Sequence, residues 1–91
     1  MGMAAHSLNM SLKAYVGANA RKWRDRLGIT QEEMALRVGV SPRYYRAIEL
    51  GAVNLTLLTL ALLANALEIP AFKLLKPAQI KKRGPGRPKS N

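Results

Sequence analysis

Between Leu12 and Leu27 the large apolar residues stand at Leu12, Tyr15, Val16, Trp23 and Leu27, with Ala20 in the gap and Lys13, Arg21, Lys22 and Arg26 interspersed. Intervals of three and four put the apolar side chains on one face of a helix and the cations on the other. Trp23 is expected in the core, and Gly28 ends the helix, as glycine does at a C-terminus. The pattern restarts in TQEEMALRVG, where Thr30 and Glu33 have the spacing of a capping box and Met34, Ala35 and Val38 form a buried stripe. Gly39 supplies the left-handed residue of a sharp turn. In VSPRYYRAIELG, Ser41 is the predicted N-cap, Pro42 the first helical residue, Tyr45 and Ile48 the inward pair and Gly51 the terminator. A fourth helix is predicted after Thr56 to about Leu67. Pro70 then opens a last turn, AFKLL, expected to pack Phe72 and Leu75 back on the core. No strand pattern competes and no internal repeat is visible, so the chain reads as all-α.

Gln31 to Leu50 behave as one unit. Ala35 is small enough for the second helix to cross closely over the third, Gly39 makes the turn, and Val40 plugs the angle between them, which is the layout of a helix-turn-helix. The stretch GITQEEMALRVGVSPRYYRAIELG resembles the Cro and lambda-repressor-like (XRE-type) DNA-binding domain, and the resemblance extends from about Tyr15 to Leu75. It implies a compact five-helix, lambda-repressor-like domain whose third helix enters the major groove of double-stranded DNA. By the same resemblance Gln31 touches a phosphate, Ser41, Pro42, Arg43 and Tyr44 lie nearest the bases, Arg46 and Ala47 can also face DNA, and Arg24 and Glu49 form an ion pair between the first and third helices.

The chemistry of these residues fits such roles. Arg43 carries the guanidinium fork that matches O6 and N7 of guanine. Tyr44 and Tyr45 are about 100° apart on a helix, so a buried Tyr45 turns Tyr44 outward, its hydroxyl towards a phosphate or its ring towards a thymine methyl. Arg46 is read as a phosphate contact, with a solvated surface charge as the alternative. Pro42 stands where the family often has a polar base reader. Glu49 would repel phosphate unless turned inward to Arg24, which makes its role structural.

Helix four raises the question of a partner. The resemblance places Leu57, Leu60, Leu63, Ala64 and Leu67 inward. The outward positions Leu58, Ala61, Leu62 and Asn65 are then mostly apolar, and Leu55 extends the patch. A helix apolar on nearly all sides must be covered on more than one side. A homodimer with these residues at its interface is the expected cover, the alternative being that the last turn and the tail fold over them.

Fifteen Lys and Arg against five Asp and Glu give a net charge of +10. Six of the cations and no acid lie from Lys76 onward, where the composition shifts to Pro, Gly, Lys and Arg. The expected organisation is a flexible segment 1–10, a folded domain 11–76 and a disordered basic tail 77–91. KKRGPGRPK resembles an AT-hook with Gly86, Arg87 and Pro88 as its core. That resemblance implies Arg87 in a narrow A·T-rich minor groove, with Lys82, Arg83 and Lys89 on phosphates. Pro85 replaces the second core arginine of many hooks, and a plain phosphate-binding tail or a sorting address are the competing readings.

The composition also excludes functions. There is no cysteine, a single histidine, His6, and no paired inward-facing set among the five carboxylates. No enzyme, metal site or cofactor is therefore expected. The apolar run Leu55 to Leu67 is shorter than the roughly 18 to 20 residues a membrane span needs, and no export or lipid-anchor signal is read at the start. The expected location is cytoplasmic and nucleoid-associated. A protein-interaction module, such as an antitoxin that uses this fold to bind a partner protein, is the alternative to a DNA-binding regulator.

Overall fold

The computed structural model describes the backbone of residues 2–78 and the side chains of residues 12–78. Five helices follow one another: α1 (Gly2–Leu27), α2 (Gln31–Val38), α3 (Pro42–Glu49), α4 (Leu57–Leu67) and α5 (Phe72–Leu75). α1 extends to Gly2, N-terminal of the amphipathic pattern that begins at Leu12. It is the central strut, with α3, α4 and α5 all packed on it, while α2 packs against α3 and α4. The core is a single cluster of Val16, Ala20, Met34, Ala35, Val38, Tyr45, Ile48, Leu60, Leu63, Ala64, Leu67 and Leu74.

Two α1 residues without an apolar side chain decide how its neighbours dock. A Cβ on Gly17 would lie 2.6 Å from the carbonyl oxygens of both Ile48 and Glu49, so α3 ends directly against the α1 backbone. Asn19 is buried, and its amide donates to the carbonyls of Leu74 and Lys76, both at 2.9 Å. The last turn is thereby fixed by hydrogen bonds to its own terminal carbonyls, the groups a helix end leaves unpaired.

That anchoring changes which α5 residues are buried. Leu74 is fully buried, whereas Phe72 is 60% exposed and Leu75 lies at the surface. The expected packing of Phe72 and Leu75 is corrected, because Asn19 sets the rotation of a helix too short to set its own. Leu57 is corrected too: it is 84% exposed, since the first turn of α4 projects past the core that receives Leu60, Leu63, Ala64 and Leu67. Trp23 packs against the core but is only half-buried, and Leu12 is exposed. α4 ends on Glu68, which takes up a left-handed conformation (φ 63°) in the place a glycine would hold.

Gly17→Ala tests the α1–α3 contact. At an unobstructed helical site the exchange gains about 0.5–1 kcal/mol. Here the added methyl meets backbone, and overpacking costs about 1–3 kcal/mol. The expected result is a lower melting temperature by roughly 4–8 °C per kcal/mol, read by circular dichroism. A variant as stable as the parent would show that α3 does not depend on this close approach.

Candidate nucleic-acid interface

The geometry of α2 and α3 follows from their caps. The Thr30 hydroxyl accepts the Glu33 amide at 3.0 Å, and the Glu33 carboxylate accepts the Thr30 amide at 3.0 Å, closing a capping box. Gly39, at φ 91°, lets the chain reverse, so that its own amide and that of Val40 both donate to the Ala35 carbonyl. Ser41 then caps α3 by accepting the Tyr44 amide at 3.0 Å, with Pro42 in the first turn. These devices determine where α3 starts and how it is rotated.

Its rotation sorts the side chains. Tyr45, Ile48 and Glu49 are buried, at the intervals of three and four that mark one helical face. Ser41, Pro42, Arg43 and Arg46 are exposed, and Tyr44 and Ala47 are half-buried, Tyr44 packed against the core. Arg43, Arg46 and Ala47 thus form the outward stripe.

Behind the stripe lies a buried polar cluster. Arg24 donates from Nε to Glu49 Oε2 at 2.6 Å and from Nη2 to Oε1 at 3.1 Å, while its Nη1 donates to the Ile29 carbonyl at 3.0 Å. Gln31 Nε2 also donates to Glu49 Oε1, at 2.9 Å. Burial alone would raise the Glu49 pKa, but the hydrogen bonds from Arg24 and Gln31, the nearby Tyr45 hydroxyl and the Arg24 charge outweigh it and hold the carboxyl below its ordinary range. The Tyr45 hydroxyl lies buried in this cluster without a hydrogen bond of regular geometry. Burial, reinforced by the Glu49 carboxylate, pushes its phenol up.

The candidate DNA-facing residues therefore differ in freedom. One amide hydrogen of Gln31 is given to Glu49, which leaves the other, and the backbone N–H at the first position of α2, for an anion. Arg46 faces Glu32 of α2 at 3.7 Å across an exposed surface. Arg43 pairs with no carboxylate among the described residues. The Glu32 neighbour of Arg46 was not singled out from the sequence, where nothing indicates which exposed side chains of two successive helices will face each other. On α4, Leu58, Ala61, Leu62 and Asn65 are exposed, and Leu55 before it is half-buried. The candidate tail residues Lys82, Arg83, Gly86, Arg87, Pro88 and Lys89 lie outside the described residues, as does most of the segment 77–91.

A family model described as Helix-turn-helix matches residues 21–74, a span that holds the C-terminal part of α1 together with α2, α3 and α4. The chain belongs to the helix-turn-helix family. It is 38% identical over 68 residues to the uncharacterised HTH-type transcriptional regulator y4dJ of Sinorhizobium fredii, covering 75% of this chain and 88% of that one. It is 35% identical over 68 residues to a Neisseria meningitidis hypothetical transcription factor, of which the match spans 64%. The crystal structure of the hypothetical transcription factor NHTF from Neisseria superposes with a TM-score of 0.70 at 35% identity, covering 72% of this chain and 76% of that one. The restriction-modification controller protein C.AhdI from Aeromonas hydrophila gives 0.67 at 29% identity, covering 71% and 94%. The fold is that of an XRE/Cro-like helix-turn-helix transcriptional regulator. Among the described residues no group of His, Cys, Asp and Glu side chains could hold a metal ion, and no helix is long and apolar enough to cross a membrane.

The buried pair makes a pH prediction. A carboxyl whose folded pKa is depressed stabilises the fold above its unfolded value, about 4.3 for glutamate, and that contribution is lost as the pH falls through the lower folded value. Glu49→Gln leaves the Arg24 charge buried without its partner, at a cost of about 3 kcal/mol. Denaturant titrations should show that loss at neutral pH. They should also show a smaller gap between variant and parent in acid.

Proposed function

We propose that this helix-turn-helix protein is a sequence-specific DNA-binding transcriptional regulator that occupies a short inverted repeat as a homodimer, with α3 in the major groove. The observation that carries this reading is the outward stripe of α3, with Arg43 unpaired at its start and the helix locked from behind by Glu49. Arg43 reads guanine, with Tyr44 and Ala47 beside it. Ser41 and Pro42 bring the start of α3 up to the bases. Gln31 and Arg46 hold phosphates on either side. Phosphate contacts of this kind set register, and base contacts set sequence. The relatives named as transcription regulators, and the controller protein of a restriction-modification system, support a regulatory role. A cytoplasmic, nucleoid-associated location follows from it.

Leu57 and Leu58, 84% and 70% exposed, and Leu62 favour a second copy packed on α4, with Leu55, Ala61 and Asn65 at the same interface. Two-fold symmetry would then set two copies of α3 about 34–36 Å apart, one turn of DNA. The tail, with Arg87 at its centre and Lys82, Arg83 and Lys89 around it, would reach the A·T-rich minor groove beside the half-sites. The same exposed leucines also support a second reading, in which α4 docks a different protein as an antitoxin does.

Selection of bound genomic fragments by the full chain supplies the operator, and Arg43→Ala then tests the reading. It should leave the thermal melt unchanged, weaken operator binding by about 1–3 kcal/mol and relax one symmetric base position. Unchanged base preference would overturn the assignment.

Leu58→Glu with Leu62→Glu tests the dimer. The variant should sediment as a folded monomer where the parent is a dimer and should lose cooperative occupancy of the two half-sites. A parent chain that is monomeric, and that co-purifies with one co-encoded protein instead, would favour the second reading.

A further inference from the structure

Trp23, the only tryptophan of the chain, is a half-buried residue of α1. Three cations surround it: Lys22 Nζ lies 5.3 Å, Arg26 Cζ 4.7 Å and Lys73 Nζ 5.1 Å from the ring centroid. The ring accounts for part of this clustering, since its face attracts cations. It does not neutralise them, and among the described residues no Asp or Glu side chain pairs with any of the three. Asp25, the nearest carboxylate in sequence, is turned to Arg21 and Arg24. Three like charges around one ring, without a counter-ion from the protein, form a surface suited to an anion.

The place of this surface in the fold separates it from the DNA-reading stripe. Lys22 and Arg26 each stand two residues from Arg24 on α1 and so point about 160° away from it. Arg24 is directed at Glu49 of α3, while Lys73 of α5 reaches over the Trp23 ring, and both α3 and α5 pack on α1. The body of α1 therefore stands between the patch and the helix that faces the major groove. A straight duplex seated on α3 does not reach the far side of α1.

We propose that Lys22, Arg26 and Lys73 around Trp23 form a second phosphate-binding surface, which holds the backbone of a DNA duplex other than the one read by α3, so that the protein bridges two DNA segments. The occupant is a duplex and not an acidic peptide for two reasons. The patch offers flexible cations on long stems around an aromatic ring they already cover. A duplex also presents a continuous row of phosphates, which three cations can engage in any register. The proposal does not need α3 to be sequence-specific.

Because Trp23 is the only tryptophan, its fluorescence reports the patch directly. The full chain is first saturated with its selected operator fragment, then titrated with a random-sequence duplex. The expected result is little change in Trp23 emission in the first stage and a saturable change in the second. In the variant Lys22→Gln/Arg26→Gln/Lys73→Gln the second binding should weaken and its salt slope should fall by about 2–3 units, at roughly 0.9 for each phosphate the variant no longer neutralises. A control with the same charge removed from the tail, Lys81→Gln/Lys82→Gln/Arg83→Gln, should retain the Trp23 response. Should no operator exist, random duplex alone still perturbs Trp23 in the parent, which separates failure of sequence-specific reading from failure of the patch. The proposal is overturned if Trp23 responds only in the first stage, if both charge variants lose the second response equally, or if polyglutamate perturbs Trp23 as strongly as duplex does.

Discussion

The arrangement of the first three helices depends on one buried carboxylate. Glu49 sits at the end of α3 and receives Arg24 from α1 through two hydrogen bonds and Gln31 from α2 through a third. Arg24 also holds the Ile29 carbonyl in the turn between α1 and α2. Desolvating two charges offsets most of their attraction, so a buried pair is weak support for stability, and an apolar pair of similar volume is often as stable. What an apolar pair does not supply is direction. A bidentate carboxylate–guanidinium contact fixes distance and rotation together, and here it turns Tyr45 and Ile48 inward and leaves Arg43, Arg46 and Ala47 facing out.

Local rules carried the helix-turn-helix because its determinants are local. Thr30, Glu33, Gly39, Ser41 and Pro42 each act within four residues of their own position, so their spacing was sufficient to place α2, the turn and α3. The Arg24–Glu49 pairing is a long-range contact and entered only through family resemblance. Gly17 and Asn19 were legible by neither route. Within the α1 pattern a glycine reads as a neutral gap and an asparagine as a polar interruption. Their meaning comes from a carbonyl 2.6 Å from a missing Cβ and from two carbonyls over 50 positions away.

The misplaced residues share a physical cause. Leu57, Phe72 and Trp23 are large and apolar, and periodicity assigns such residues inward. Each stands where the packed core ends: Leu57 on the first turn of α4, Phe72 on a single-turn helix, and Trp23 half-buried at the edge of the core near the end of α1. A chain of this length has few interior positions for its apolar residues. Those left over remain at the surface, where they are either covered by other groups, as the cations cover Trp23, or left exposed, as are Leu57 and Leu58. An exposed apolar cluster on one helix is the physical reason for expecting a partner there.

Charge is sorted by a parallel economy. The chain has five acidic side chains, and each has an internal use. Glu49 is in the buried cluster and Glu33 in the capping box. Asp25 lies beside Arg21 and Arg24, Glu32 beside Arg46, and Glu68 beside Arg37. No acid is left to neutralise Arg43 at the start of α3 or the three cations around Trp23. Positive charge without a carboxylate partner therefore remains on α3, at Arg43, and around Trp23. On α3 the helix itself is positioned by its caps and a buried carboxylate, the kind of fixed platform that reading bases would require. Around Trp23 the charge is carried by long side chains gathered at a ring, which suits it to a backbone without regard to sequence.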